Sequence, residues 1–136
     1  MDESKDILLQ HERIGFPSMD EQDQADLLIW HNVETINKLT PAFQADFIPI
    51  EVGRRYVTLS KNRFREYFIK SKYIEKLNDI HRQSPKLDSQ WVEQTSDSKY
   101  QLKVQERGGL VHIEFFDSYD EVIDYFVDWK FRTFDR

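Results

Sequence analysis

Two different spacings of apolar residues occur along this chain, one typical of helices and one typical of strands. Apolar residues three or four positions apart predict helices, and apolar residues at every second position predict strands with one buried face. The helical spacing covers residues 6–14, 18–39 and 60–82, and a last stretch that begins at Ser118. The strand spacing covers residues 47–52, 55–59 and 90–95, and both sides of a glycine pair between Tyr100 and Phe116.

Capping signals indicate where two of these helices begin. Ser18 is followed three residues later by Glu21, and Ser118 is followed in the same way by Glu121. A serine and a glutamate at this spacing form a capping box, in which each side chain accepts a hydrogen bond from a free backbone N–H of the first turn. Both serines are therefore predicted N-caps.

The strongest local signal is a hairpin around Gly108-Gly109. Glycine accepts the positive φ angles that two-residue hairpin turns require. If these glycines are the central turn residues, the register pairs Val104 with Ile113 and Leu102 with Phe115 on an apolar face, and Lys103 with Glu114 and Gln105 with His112 on a polar face. The match between turn, alternation and pairing favours this register.

These elements predict an α+β fold in one globular domain over residues 1–136. Their order is ααββαβββα, which fits an antiparallel sheet of about five strands with helices packed on one face. No repeat, low-complexity tract or long linker divides the sequence. Ten Phe, six Tyr and three Trp supply enough apolar area for a core, although hydrophobic residues make up only 39% of the chain.

The formal charge of −6 is unevenly distributed along the sequence. Residues 1–53 carry a net charge of −8, residues 54–86 carry +7 and residues 87–136 carry −5. Such asymmetry indicates either a surface for an oppositely charged partner or segments that neutralise one another in the fold.

Several classes of function find no support in the sequence. The chain has no cysteine, which excludes disulfides, thiolate metal sites and cysteine nucleophiles. No phosphate-binding glycine loop or catalytic motif occurs, so we expect a non-enzymatic protein without a cofactor or a metal. The acidic, polar N-terminus and the short apolar runs predict no targeting peptide and no membrane association, and we expect a cytoplasmic location.

A line of carboxylates on the last helix is the leading candidate site. It consists of Asp117, Asp120, Glu121, Asp124 and Asp128, with Tyr125 beside them. Carboxylates steer a basic partner into place, and aromatic rings supply contact area. This pattern predicts a small acidic protein that binds, and inhibits, a basic protein such as a nuclease or a toxin, by analogy with antitoxins and immunity proteins. The alternative interpretation is an ordinary solvated helix face.

The basic middle segment supports a second hypothesis, a nucleic-acid-binding module. Its cations are Arg54, Arg55, Arg63, Arg65, Lys72 and Lys76, and tyrosines lie among them. Cations can contact phosphates and rings can stack on bases. The net negative charge of the whole chain disfavours this hypothesis, because it opposes long-range attraction to a polyanion.

Two smaller features complete the candidates. His112 and Glu114 lie on the same side of one predicted strand, where they could act as a base and its orienting group, but Lys103 is predicted opposite Glu114. Leu27 and Trp30 fall outside the apolar arc of the helix over 18–39. They either pack against a neighbouring segment or form an exposed patch that could mediate a homodimer.

Overall fold

The computed structural model describes Leu9, Glu12, Arg13 and residues 19–31 and 50–134. Within these residues the fold is α+β, as predicted. The elements are α1 Glu21–Trp30, α2 Ile50–Tyr56, α3 Lys61–Ser71, α4 Tyr73–Gln83, β1 Ser89–Gln94, β2 Tyr100–Glu106, β3 Gly109–Phe116 and α5 Tyr119–Phe131. The Cα positions divide the chain into a first unit, residues 1–67 and 128–136, and a second unit, residues 68–127.

Helix α1 supplies much of the buried apolar surface of the first unit. Its cap is Asp20, whose Oδ1 accepts a hydrogen bond from the backbone N–H of Asp23 at 2.8 Å. The helix predicted to continue to residue 39 ends at Trp30, because His31 adopts a left-handed conformation with φ of 40°. Because the helix begins at Glu21 with Asp20 as its N-cap, the prediction that Ser18 caps it is wrong. Ser18 itself and residues 32–39 lie outside the described residues.

Leu27 is only 1% exposed, so its side chain belongs to the core of the first unit. The alternative in which Leu27 forms an exposed patch is therefore wrong. Trp30 is half-buried and also interacts within the chain. The prediction that Leu27 packs inside the chain is confirmed. A homodimer contact at Leu27 and Trp30 could therefore use only Trp30.

Gln24 is a fully buried polar residue of α1 that ties the helix to the segment after α2. Its Oε1 accepts the backbone N–H groups of Thr58 at 2.7 Å and Leu59 at 3.0 Å. Its Nε2 donates to the carbonyl of Met19 and to the hydroxyl of Thr58. One side chain thus satisfies backbone groups that an irregular segment would otherwise leave unpaired.

The two strands predicted over residues 47–52 and 55–59 are wrong where the structure describes them. Residues 50–56 form helix α2, and its buried residues are Val52, Gly53 and Tyr56, one face of a helix. A Cβ atom added to Gly53 would lie 2.3 Å from the ring of Phe134, so the glycine admits that ring. Tertiary packing has overridden the strand preference of Val, Ile and Tyr here.

The helix predicted over 60–82 is divided in two at Lys72. Lys72 has φ of 58°, in the left-handed region, and it separates α3 from α4. Just before it, the hydroxyl of Ser71 donates to the carbonyl of Phe68 at 2.6 Å, a local bond that competes with helical pairing. The first of the two helices begins where the spacing predicts, after Ser60, whose Oγ accepts the backbone N–H of Arg63 at 3.2 Å.

Among the described residues, the sheet of the second unit has three antiparallel strands in the order β1-β2-β3, rather than the predicted five or so. By register, Val92, Leu102 and Phe116 share one face and are buried. On the opposite face, Trp91 is buried and stacks on His81 at 3.5 Å between ring centroids, whereas Ile113 and Phe115 are exposed.

The hairpin between β2 and β3 is confirmed, but its predicted register is wrong. The central turn residues are Arg107 and Gly108, with φ of 53° and 82°, rather than the two glycines. A bulge near Val111 then places Glu114 opposite Leu102 and His112 opposite Val104. Arg107 is held in this conformation by its backbone N–H, which donates to Oδ1 of Asp88 at 2.8 Å.

Candidate functional site

The acidic face of α5 begins at a helix cap that the sequence predicts. Ser118 Oγ accepts the backbone N–H of Glu121 at 3.2 Å. Glu121 in turn accepts the backbone N–H of Asp117 at 2.8 Å through its Oε2, one residue before the position of an ideal capping box. These two bonds fix the first turn and the direction of the carboxylates on it.

Burial of the opposite side of α5 directs the carboxylates outward. Val122, Ile123, Phe126 and Val127 are all buried. Asp117, Asp120, Glu121 and Asp124 are exposed. Tyr125 is half-buried, with its ring 5.4 Å from that of Phe116. Trp129, near the end of the helix, is 55% exposed.

Some of these carboxylates already have cationic neighbours within the chain. Asp117 pairs with Lys99 at 3.0 Å, with both side chains largely exposed. Asp128 belongs to the first unit and pairs there with Lys61. Asp120 and Asp124 also interact within the chain. Exposed ion pairs of this kind contribute about 0–1 kcal/mol, which is little enough for a partner's cations to replace.

A cleft lies at the start of α5, within the second unit. Its volume is about 320 Å³, and it is lined by Ile74, Glu75, Asn78, Val92, Gln94, Tyr100 and Tyr119. The rings of Tyr100 and Tyr119 meet edge to face at 5.3 Å. The hydroxyl of Tyr119 donates to Oε1 of Glu75 at 3.1 Å. The volume is at the lower end of the roughly 300–1,000 Å³ typical of small-molecule sites.

The carboxylate and the aromatic rings of this cleft are suited to binding a cation. Burial, and then the negative charge of the neighbouring Glu75, raise the pKa of Tyr119 to about 12. Glu75 accepts one hydrogen bond from Tyr119 and, as a carboxylate, has capacity for more. Aromatic faces beside a carboxylate are the groups that bind ammonium and guanidinium ions.

The residues of the nucleic-acid hypothesis are distributed over both units. Arg54, Arg55, Arg63 and Arg65 belong to the first unit, and Lys72 and Lys76 to the second. The Nε of Arg54 donates to the carbonyl of Phe134 at 2.8 Å. Arg63 binds Glu21 at 2.6 Å and Glu66 at 2.5 Å. Two of the six cations thus have clear structural roles inside the chain.

The charge pair between Arg63 and Glu21 also includes a tyrosine. The hydroxyl of Tyr67 donates to the same Oε1 of Glu21 at 3.1 Å. The hydrogen bond from Arg63, and then the one from Tyr67, hold the pKa of Glu21 below its usual value. This arrangement stabilises the ionised carboxylate and keeps the guanidinium of Arg63 occupied.

His112 and Glu114 form a hydrogen-bonded pair, with 2.7 Å between Nε2 and Oε2. Lys103, predicted opposite Glu114, lies opposite Ile113 instead and pairs with Glu93 at 2.9 Å. Both members of the His112–Glu114 pair are solvent-accessible. Within residues 19–31 and 50–134, no three His, Asp or Glu side chains are grouped so as to hold a metal ion.

Sequence reasoning missed the cleft because its residues come from four separate elements. Glu75 and Asn78 are one turn apart on α4, a detectable signal, but nothing in the sequence places them beside Tyr100 or Tyr119. No family model, no curated protein and no solved structure matches this chain. Among the described helices, none combines the length and the apolar character needed to cross a membrane.

Proposed function

We propose that this chain is a non-enzymatic binding protein that captures a basic protein through the second unit. The observation that carries the proposal is the row of exposed carboxylates on the first turns of α5, with a cleft of tyrosines and Glu75 at the start of the same helix. The rigid helix presents the charges, and the cleft accepts one cationic side chain of the partner. Inhibition of that partner, as in immunity proteins and antitoxins, is the biological outcome we propose.

Two levels of recognition support this proposal. Asp120, Glu121 and Asp124 lie on one face of the helix and Asp117 lies just before its first turn, so that their field steers a basic surface into place. The cleft adds a contact that depends on shape, since a lysine or arginine side chain could enter it beside the paired rings of Tyr100 and Tyr119 and reach Glu75. The carboxylates would increase the rate of association, and the cleft would hold one side chain of the bound partner.

Charge reversal tests the helix face. The variant Asp120→Lys/Asp124→Lys is compared with Asp97→Lys/Glu106→Lys, which changes the net charge equally at exposed positions outside α5. With a fluorescent oligoarginine peptide as the probe, we expect the first variant to weaken binding about tenfold or more, equivalent to about 1.4 kcal/mol, and the second to weaken it by less than about twofold. Equal losses in both variants would mean that only net charge matters and would contradict the proposal.

A neutral substitution tests the cleft. Glu75→Gln removes the carboxylate, while Asp79→Asn makes the same charge change one turn further along α4. Weaker oligoarginine binding in the first variant alone supports the cleft as the anchor. The same preparations are mixed with labelled single- and double-stranded nucleic acid at low salt, where we expect no binding. Steeply salt-dependent binding would favour the nucleic-acid hypothesis instead.

A further inference from the structure

Strand β3 forms an edge of the sheet and carries exposed apolar residues. In the part of the chain that the structure describes, β2 is its only strand partner. Leu110 is 52% exposed, Ile113 39% and Phe115 72%. By register, these three side chains lie on the sheet face opposite to Leu102. An edge strand with such residues is a template for pairing with another strand.

The usual protections of an edge strand are sparse in β3. Proteins commonly protect an edge with lysine or proline, and β3 contains neither. The strand has one bulge, near Val111, and from His112 to Phe116 it pairs regularly with β2. The regular stretch therefore presents both backbone groups and apolar side chains to a partner.

The ladder between β2 and β3 determines which backbone groups point to the free edge. In a two-residue hairpin the two residues next to the turn, here Glu106 and Gly109, exchange both of their backbone hydrogen bonds. Along an antiparallel ladder, such hydrogen-bonded pairs alternate with pairs that are not hydrogen-bonded to each other. Beyond the bulge, Glu114 therefore bonds to β2, whereas the N–H and C=O groups of Ile113 and Phe115 point outward. These are the groups that a new strand would meet.

Charge selects one register for a symmetric pair of β3 strands. A two-fold axis can lie at Ile113, between Ile113 and Phe115, or at Phe115, because outward-facing residues must meet one another. The axis at Ile113 places His112 opposite Glu114 of the second copy, an attractive pair. The intermediate register places Glu114 opposite Glu114, and the axis at Phe115 places Ile113 opposite Asp117, so both alternatives are unfavourable.

We propose that β3 pairs with β3 of a second copy of this chain, antiparallel and with Ile113 on the two-fold axis. The two three-stranded sheets then continue as one sheet of six strands. Ile113 meets its own copy, and Phe115 reaches the second Ile113 diagonally, so four apolar side chains are covered. On the opposite face, the His112–Glu114 pair of each copy lies beside that of the other, so that each imidazole also faces the second copy's carboxylate. This inference does not rest on the proposed function.

Disulfide trapping tests the register directly, since the chain has no cysteine of its own. Ile113→Cys places two Cα atoms about 5.5 Å apart across the axis, within the range of a disulfide. Phe115→Cys places the two cysteines about 13 Å apart, beyond that range. In a glutathione redox buffer we expect efficient cross-linking of the first variant only. Equal cross-linking of both, or cross-linking of Phe115→Cys alone, would overturn the assigned register.

Sedimentation equilibrium of the unmodified chain tests the dimer itself. We expect a concentration-dependent dimer, weakened about tenfold or more by Ile113→Lys and unchanged by Leu87→Lys, a matched substitution at an exposed apolar residue outside the sheet. His112→Glu and Glu114→His should each weaken the dimer, and the double exchange should restore it. A thermal-unfolding scan of each variant shows that it is folded.

A chain that stays monomeric at the highest concentration tested, and whose Ile113→Cys variant fails to cross-link, overturns the proposal. The free edge would then be open to a strand from a different protein. Loss of oligoarginine binding by the α5 variants leaves this result unaffected, so failure of the dimer and failure of the proposed function are separate outcomes.

Discussion

The two ends of helix α5 carry similar charged residues and use them differently. At its start, in the second unit, Asp120, Glu121 and Asp124 are exposed, although Asp120 and Asp124 also interact within the chain and Glu121 accepts the backbone N–H of Asp117. At its end, in the first unit, Asp128 pairs with Lys61, and the half-buried Lys130 donates to the carbonyl of Ile29 at 2.7 Å. Charge on a helix face therefore gives no indication of its role until the neighbouring segments are known.

The same contrast holds for polar groups of the first unit as a whole. Gln24 satisfies backbone groups of Thr58 and Leu59, and Arg54 binds the carbonyl of Phe134. These contacts hold the irregular segments of the first unit in place. Substitution there should cost stability, whereas substitution on the acidic face of the second unit should cost binding.

The largest effect is expected for Gln24→Leu. The substitution preserves much of the volume but leaves the N–H groups of Thr58 and Leu59 without their acceptor. We expect the free energy of unfolding to fall by about 4 kcal/mol, because buried donors without partners are expensive. Urea unfolding measures the change. Gln22→Leu, at an exposed position of the same helix, is the control, and a similar loss there would contradict the role of Gln24.

A smaller effect is expected from the titration of Lys130. Burial lowers the pKa of its amino group to about 8, below the usual 10.5, so the folded state binds its proton less tightly than the unfolded state does. The free energy of unfolding should therefore rise between about pH 8 and pH 10.5, by up to about 3 kcal/mol. Above pH 10 the raised pKa of Tyr119 acts in the opposite direction.

Urea unfolding at several pH values measures this titration. Lys130→Met should remove most of the rise, because no amino group remains to titrate. Lys70→Met, at an exposed position of α3, should retain it. A rise that survives in Lys130→Met would assign the effect to another group.

The smallest effect on stability is expected on the acidic face. Asp120→Lys/Asp124→Lys should change the free energy of unfolding by less than about 1 kcal/mol, a loss that comes from the dipole of α5 and from the exposed contacts of the two carboxylates within the chain. A thermal scan beside the binding assay measures it. A large loss would show that these carboxylates maintain the fold, and the contrast between the two units would then be wrong.

Some features were predictable because their causes are local. The cap at Ser118, the strand over 90–95 and the hairpin each depend on residues close in sequence, and the structure has all three, with the strand at Ser89–Gln94. The α+β class follows from such elements. The helix that begins after Ser118 was predictable for the same reason, and its helical spacing places Val122, Ile123, Phe126 and Val127 on the buried side.

The errors arose where distant residues decide the outcome. The hairpin register depends on Asp88, which binds the backbone of Arg107 and helps that residue adopt a positive φ. Residues 50–56 form a helix in which Gly53 admits the ring of Phe134, far away in the sequence. Neither contact has a local signal.

The sequence by itself determined the cap at Ser118, the hairpin and the row of carboxylates on the last helix, because each depends on neighbours within a few residues. Only the tertiary structure decided which carboxylates pair with lysines, which strand became an edge and where Glu75 meets Tyr119. The physical reason is that burial and pairing depend on groups brought together from separate parts of the chain, and these determine whether a charge is engaged or exposed.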